Sequence, residues 1–454
     1  MPKSRPVEEA GQAPDVIDAI IVGAGFAGLY MLHKLREIGI SARIYEAGSD
    51  VGGTWFWNRY PGARVDVESQ EYSYSFSPEL EAEWEWTERY AAQPELLKYV
   101  NHVADRFDLR RDIRFDTRVA SAVYDETRDR WTVTTDTGDT VSARFCIMAT
   151  GCLSAAKQPD IPGAGSFTGE TYSTATWPEE GVDFSGKRVG VIGTGSSGIQ
   201  TITTIAPQVA ELTIFQRTPN FSVPAQNGPI NPEVAADWKA NREHYRDLQR
   251  KSGAGILQVS PSETLTFDAS PDERRHAFED RWARGGFSLL GAFADVNIDK
   301  QANDEAAAFV ADKIRSIVDD PDVAERLIPT TYPVGAKRMC VDTGYYQVFN
   351  QDNVSLVDLR STPIQAITPT GIRTTAQDYE LDAIVYAIGF DAMTGALDRI
   401  DIRGRDGLRL SDKWADGPLT YLGLMVSGFP NLFMITGPGS PSVLANMILA
   451  IEQH

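Results

Sequence analysis

Cysteine is scarce in this chain, three residues in 454, and Cys146, Cys152 and Cys340 form no CxxC pair and no metal-ligand spacing. That excludes a disulfide-stapled scaffold, a structural zinc site and a paired-thiol redox centre; the thiols read as reduced, in a cytoplasmic protein. Basic residues are also in short supply, 43 Lys and Arg against 63 Asp and Glu, for a formal charge of -20. A nucleic acid or an anionic membrane needs a basic face, so neither is an expected partner. A phosphate ligand is not excluded, because backbone N–H groups at a helix start and a few local cations can hold it. No apolar run is long enough to span a bilayer, and Met1 to Asp18 contains no apolar signal-peptide segment. Residues 1–15 read as a flexible leader.

What the chain does have is core material, 42% hydrophobic with 10% aromatic residues, and a length that suggests about three domains at roughly 150 residues each. The run Ala19–Val22 reads as a buried parallel strand and leads into Gly23-Ala-Gly25-Phe-Ala-Gly28 and an amphipathic helix carrying Leu29, Leu32 and Leu35. This is GxGxxG in a strand-turn-helix setting, where the glycines permit a tight turn, close approach of a pyrophosphate and close helix packing. A second strand, Ala42–Tyr45, ends in Glu46, whose carboxylate can accept from a ribose 2′-OH. The pattern recurs at Arg188–Ile192, Gly193-Thr194-Gly195-Ser196-Ser197-Gly198 and the strand Leu212–Phe215, which leads to Arg217 and Thr218. A guanidinium at that offset can meet a 2′-phosphate with two charge-assisted bonds. The first module therefore suits FAD and the second NADPH, giving an α/β fold with two Rossmann-type dinucleotide-binding modules.

Between these modules lies Gly52-Gly53-Thr54-Trp55-Phe-Trp-Asn-Arg-Tyr60-Pro-Gly-Ala-Arg-Val-Asp66. It resembles the GGxWxxxxYPGxxxD signature of Baeyer–Villiger monooxygenases at every defined position. The stretch Phe167 to Pro178 resembles the family's FxGxxxHxxxWP fingerprint, with Ser173 in place of the histidine. The likeness runs from about Asp15 to the last residue, is strongest toward phenylacetone and steroid monooxygenases, and includes Lys337-Arg338 and the 437–442 stretch.

The resemblance implies an FAD-containing, NADPH-dependent enzyme that uses O₂ to convert ketones, aryl or bulky cyclic ones, to esters or lactones through a C4a-peroxyflavin. It implies that Arg338 stabilises the negative charge of the reaction and that Asp66 orients Arg338. Without it the two residues would be one of many possible ion pairs. Lys337 and Thr218 would join Arg217 at the 2′-phosphate. Gly53, Thr54, Trp55 and Tyr60 would lie near the flavin, and so would Met447, in a closing helix expected from about Val443. Ser173 can hydrogen-bond but cannot titrate, so it does not supply the protonatable ring that the family has there. The chain stops inside that helix and reads as C-terminally truncated.

The expected organisation is an FAD-binding part over 16–151 and 387–454, an NADP-binding part over 152–223 and 333–386, and a helical insertion over 224–332 with Val310, Ile314, Ile317 and Val318 on one helix face. The insertion would shape the substrate cavity or serve packing and dimerisation. Two rival functions stay open: a flavin monooxygenase oxidising nitrogen or sulfur, and an uncoupled NADPH oxidase or impaired dinucleotide-binding protein.

Overall fold

The computed structural model describes residues 15–260, 262–440 and 445–454. Most of the expected leader, Pro441-Ser442 and the expected helix start at Val443 lie outside those residues. Eighteen strands are described: β1 Asp15–Val22, β2 Ala42–Tyr45, β3 Ile113–Arg114, β4 Val119–Asp125, β5 Arg130–Thr135, β6 Thr140–Met148, β7 Glu170–Ser173, β8 Arg188–Ile192, β9 Glu211–Gln216, β10 Ser222–Pro224, β11 Cys340–Asp342, β12 Val354–Asp358, β13 Ile364–Thr368, β14 Gly371–Thr374, β15 Asp378–Glu380, β16 Ala383–Tyr386, β17 Asp401–Arg403 and β18 Leu432–Met434.

The first large sheet runs β17-β4-β5-β6-β1-β2-β3. Strand β6 is long enough for two partners on one edge. Antiparallel β5 covers its first half, with Trp131 opposite Ala143, and parallel β18 its second, with Leu432 opposite Cys146. Ala19, Ile20 and Ile21 of β1 are fully buried, as a central strand covered on both faces requires. The second large sheet runs β12-β9-β8-β16-β7 and is parallel throughout. Register sets the business ends. In the first sheet Val22 lies beside Tyr45 and Met148, so the chain leaves β1, β2 and β6 at one edge as Gly23, Glu46 and Ala149. In the second, Ile192 lies beside Phe215 and Tyr386, which brings out Gly193, Gln216 and Ala387 together. Ligands of such sheets bind outside the carboxyl ends of the strands.

Between β10 and β11 the chain is mainly helical, with helices at Pro232–Ala240, Arg242–Lys251, Pro271–Arg284, Lys300–Ile317 and Pro321–Leu327. Local chemistry starts them: Ser270 and Glu273 form a capping box, and Asp299 and Asp320 accept from first-turn N–H groups. Val310 and Ile314 are fully buried on the long helix. Val318 is buried too, but it is the residue after the helix ends, with φ -91° and ψ 120°. The long insertion leaves and returns at one place, because β10 and β11 pair in parallel, Ser222 beside Cys340. That pairing sets Lys337 and Arg338 down just before β11, close to the second sheet. Among the described residues no helix is long and apolar enough to cross a membrane.

Candidate active site

The turn after β1 is built by contact of backbone on backbone. A Cβ on Gly28 would lie 1.9 Å from the carbonyl oxygen of Gly23, and one on Gly198 would lie 2.3 Å from that of Gly193. Only glycine lets each helix sit so close on its own turn. The following helix starts at Phe26 behind Gly25, which offers no side-chain cap, and its first turn holds no acidic residue. Its N-terminal N–H groups therefore have no side-chain acceptor at Gly25, and an anion is favoured there.

The second motif packs onto the first. Gly52 N donates to Ala24 O at 3.1 Å, and Gly53, with φ +53°, lies so close that a Cβ would be 2.8 Å from Gly25 Cα. Glu46 is 5% exposed and accepts from Ala24 N at 2.6 Å and Gly48 N at 2.7 Å. Burial raises its pKa and outweighs those N–H groups, which lower it. Ala47 N–H adds a weaker contribution of the same sign, so of the roughly four lone-pair sites of a carboxylate about one is left for a further donor.

Thr54 is exposed at the first position of the short helix Thr54–Trp57. Trp55 is buried; its Nε1 donates to Tyr72 Oη at 3.3 Å and its carbonyl accepts from Gln93 Nε2 at 2.5 Å. Tyr60 turns toward the second sheet and donates to Gln200 Oε1 at 2.8 Å, while Gln200 Nε2 donates to Arg64 O at 3.1 Å. The loop carrying Tyr60 and Asp66 is thereby fastened to the helix Ser196–Ile205 that begins in the second glycine motif.

That second cradle is also uncapped at Gly195, where a Cβ would meet nothing within 4 Å. Ser197 Oγ lies 3.1 Å from Thr174 Oγ1, and Ser196 Oγ lies 3.6 Å from Cys340 Sγ. Thr194 Oγ1 donates to Thr218 O at 3.3 Å. Arg217 is exposed just past β9, and Lys337 is exposed with its Nζ 4.3 Å from the Tyr332 ring centre. Among the described residues neither has a carboxylate partner.

Asp66 and Arg338 meet across 272 residues of chain. Nε donates to Oδ2 at 2.5 Å and Nη2 to Oδ1 at 2.7 Å, a bidentate pair with side chains 20% (Arg338) and 22% (Asp66) exposed. The guanidinium also lies 4.9 Å from the Phe287 ring centre. Burial would make Arg338 give up its proton more readily, but the charge and hydrogen bonds of Asp66 outweigh it and hold the pKa above the ordinary value. Arg338, Lys337, Phe287 and Tyr332 line a cavity of about 1150 Å³ whose other walls include Ile256, Leu290, Val296 and Met339. Tyr72, near the pair, is pushed up to about 12 by burial and stays a neutral phenol.

Residues 20–271 match the Pyridine nucleotide-disulphide oxidoreductase family. A Baeyer–Villiger monooxygenase of Pseudooceanicola batsensis is 47% identical over 93% of this chain and 78% of its own length. Among solved structures, an oxidised steroid monooxygenase bound to NADP superposes with a TM-score of 0.93 and is 58% identical, covering 97% of this chain and 84% of that one. The complex of OTEMO with FAD and NADP superposes with a TM-score of 0.94 at 46% identity, over 97% and 84%.

The chain belongs to the Baeyer–Villiger monooxygenases. Its match to the wider oxidoreductase family is one of fold rather than thiol chemistry: the cysteines are free, and burial pushes the thiols of Cys146 and Cys340 up to about 12. In this Baeyer–Villiger monooxygenase Ser173 closes strand β7, and its hydroxyl accepts from Ala175 N at 3.3 Å. The closing helix is described over Met447–Gln453. Asn446 is its N-cap and accepts from Ile448 N at 3.0 Å and Leu449 N at 3.5 Å. The Asn446 side chain thus caps the first turn. Asn446 was a readable cap before an apolar run. Phe287, Tyr72, Gln200 and Tyr332 had no comparable signal, since each meets its partner through tertiary packing.

Proposed function

We propose that the protein is an NADPH- and O₂-dependent FAD monooxygenase that converts ketones, aryl or bulky cyclic ones, to esters or lactones. The observation that carries this is Arg338, held bidentately by Asp66, in the wall of a large, partly apolar cavity. FAD, when bound, supplies the redox chemistry that activates oxygen, with NADPH as hydride source. Residues 16–151 and 387–454 serve FAD: Gly23, Gly25, Gly28 and Gly53 line its path, Glu46 takes the ribose, and Thr54, Trp55, Tyr60 and Met447 complete the surroundings. Residues 152–223 and 333–386 serve NADPH, with Gly193 to Gly198 under the pyrophosphate and Arg217, Thr218 and Lys337 around the 2′-phosphate.

Arg338 keeps its charge throughout the working pH range and donates toward the oxyanion that develops on the ketone oxygen. Asp66 holds the fork in one orientation, and Phe287 covers its apolar face. The cavity of about 1150 Å³ combines polar side chains such as Asn297, Asp299 and Asn303 with an apolar wall of Ile256, Phe287, Leu290 and Val296, and the apolar wall is where a bulky hydrophobic ketone would pack.

The purified yellow protein, given NADPH, air and a ketone panel, is expected to form esters or lactones detectable by mass spectrometry. Arg338→Ala is expected to abolish product while NADPH still bleaches the flavin; continued ester formation would remove Arg338 from the mechanism. A thioether in the same panel separates this reading from soft-atom oxidation, and matching NADPH consumed to product and H₂O₂ separates it from an uncoupled oxidase.

A further inference from the structure

Tyr332 stands where three separate pieces of the second cradle meet. Its ring is a platform for a cation: Lys337 Nζ sits 4.3 Å from the centroid, while Phe221 packs edge-on from another side at 5.6 Å. Its hydroxyl reaches the turn just after Arg217 and Thr218, where its single proton is shared between Pro219 O at 2.9 Å and Asn220 Oδ1 at 3.0 Å. Asn220 carries the link further, because its Nδ2 donates to Thr194 O at 2.6 Å inside the glycine motif. Thr194 Oγ1 closes the circuit on Thr218 O at 3.3 Å. Burial pushes the Tyr332 phenol up to about 12, so it remains a donor.

We infer that Tyr332 is a positioning residue for NADPH selectivity, orienting Lys337 with its ring and the Arg217-Thr218 turn with its hydroxyl. This rests on the reading of Arg217, Thr218 and Lys337 as the 2′-phosphate contacts. The physical argument is that a lysine on a four-carbon stem loses side-chain entropy whenever it pairs with a phosphate. A ring that already confines the ammonium removes part of that loss. A turn tied to the glycine motif likewise presents Arg217 at a constant offset from the pyrophosphate. NADH lacks the 2′-phosphate, so it gains from neither effect, and selectivity between the two coenzymes reports on Tyr332 where overall stability does not.

The test uses the FAD-loaded enzyme and compares Tyr332→Leu and Tyr332→Phe with Arg217→Ala and Lys337→Ala, reading kcat and KM with NADPH and with NADH. Tyr332→Leu is expected to raise KM for NADPH about tenfold and KM for NADH less than about twofold, from loss of the cation–π contact and the hydroxyl tie. Tyr332→Phe keeps the platform and releases the turn, so a shift of about threefold is expected. If Tyr332→Leu folds poorly, Tyr332→Phe decides alone. Equal losses with both coenzymes, or an unchanged NADPH-to-NADH ratio while Arg217→Ala and Lys337→Ala lower it, would overturn the role of Tyr332. An unchanged ratio in Arg217→Ala and Lys337→Ala would instead overturn the phosphate assignment on which it rests.

Discussion

Replacing Asp66 by alanine separates the charge of Arg338 from its orientation. The substitution removes two hydrogen bonds, at 2.5 and 2.7 Å, and leaves a guanidinium whose side chain is 20% exposed without that counter-charge. Breaking a fully buried pair from one side costs about 3–5 kcal/mol. This pair opens on a cavity that water can enter, so about 1–3 kcal/mol of folding stability is the discounted expectation. The catalytic cost is separate. A correctly aimed oxyanion donor is worth about 2.7–4 kcal/mol. A mis-aimed one keeps its charge but not its alignment, so a loss of roughly half that is expected, about a ten- to thirtyfold fall in kcat. Asp66→Asn keeps one carbonyl acceptor and should fall between wild type and Asp66→Ala. The assay is ester formed per NADPH consumed at saturating ketone, with flavin content checked. Full turnover and full coupling in a flavin-replete Asp66→Ala enzyme would refute the orienting role.

Gly28→Ala places a Cβ against the Gly23 carbonyl, at 1.9 Å, and must push the helix off its turn; the expected result is purified protein with most of its flavin lost, read as the 450 nm absorbance per chain, and normal flavin retention would contradict the packing argument. Glu71 is buried and its pKa is raised to about 8, chiefly by desolvation against a hydrogen bond from Leu257 N. The folded state therefore holds this proton more tightly than the unfolded chain, so stability from Glu71 is complete below about pH 4.5 and is lost as pH climbs to about 8. Glu71→Gln keeps an acceptor for Leu257 and should flatten that fall; parallel urea-midpoint profiles for the two proteins between pH 5 and pH 9 would show that Glu71 is not its source.

How much of this was legible in advance follows physical range. The two glycine cradles were readable because strand, turn and helix occupy some thirty consecutive residues, and the steric demand at Gly28 and Gly198 is local. The end of the long insertion helix was misplaced by one residue, since Val318 continues the apolar spacing while its backbone has already turned extended. The Asn446 cap of the closing helix is likewise local, one side chain satisfying two N–H groups at once.

Sequence by itself determined the double dinucleotide-binding plan and the opposite charges of Glu46 and Arg217 after the two glycine motifs, because each depends on residues a strand or a turn apart. Tertiary structure decided what those cradles surround. The β10–β11 pairing delivers Arg338 to Asp66, Gln200 clamps the Tyr60 loop, and Tyr332 gathers Lys337 and the 219–220 turn. Apart from the local Tyr332–Lys337 contact, these join residues more than a hundred positions apart, and no periodicity encodes them; they form because burying both sheets' apolar faces brings the loops between them together.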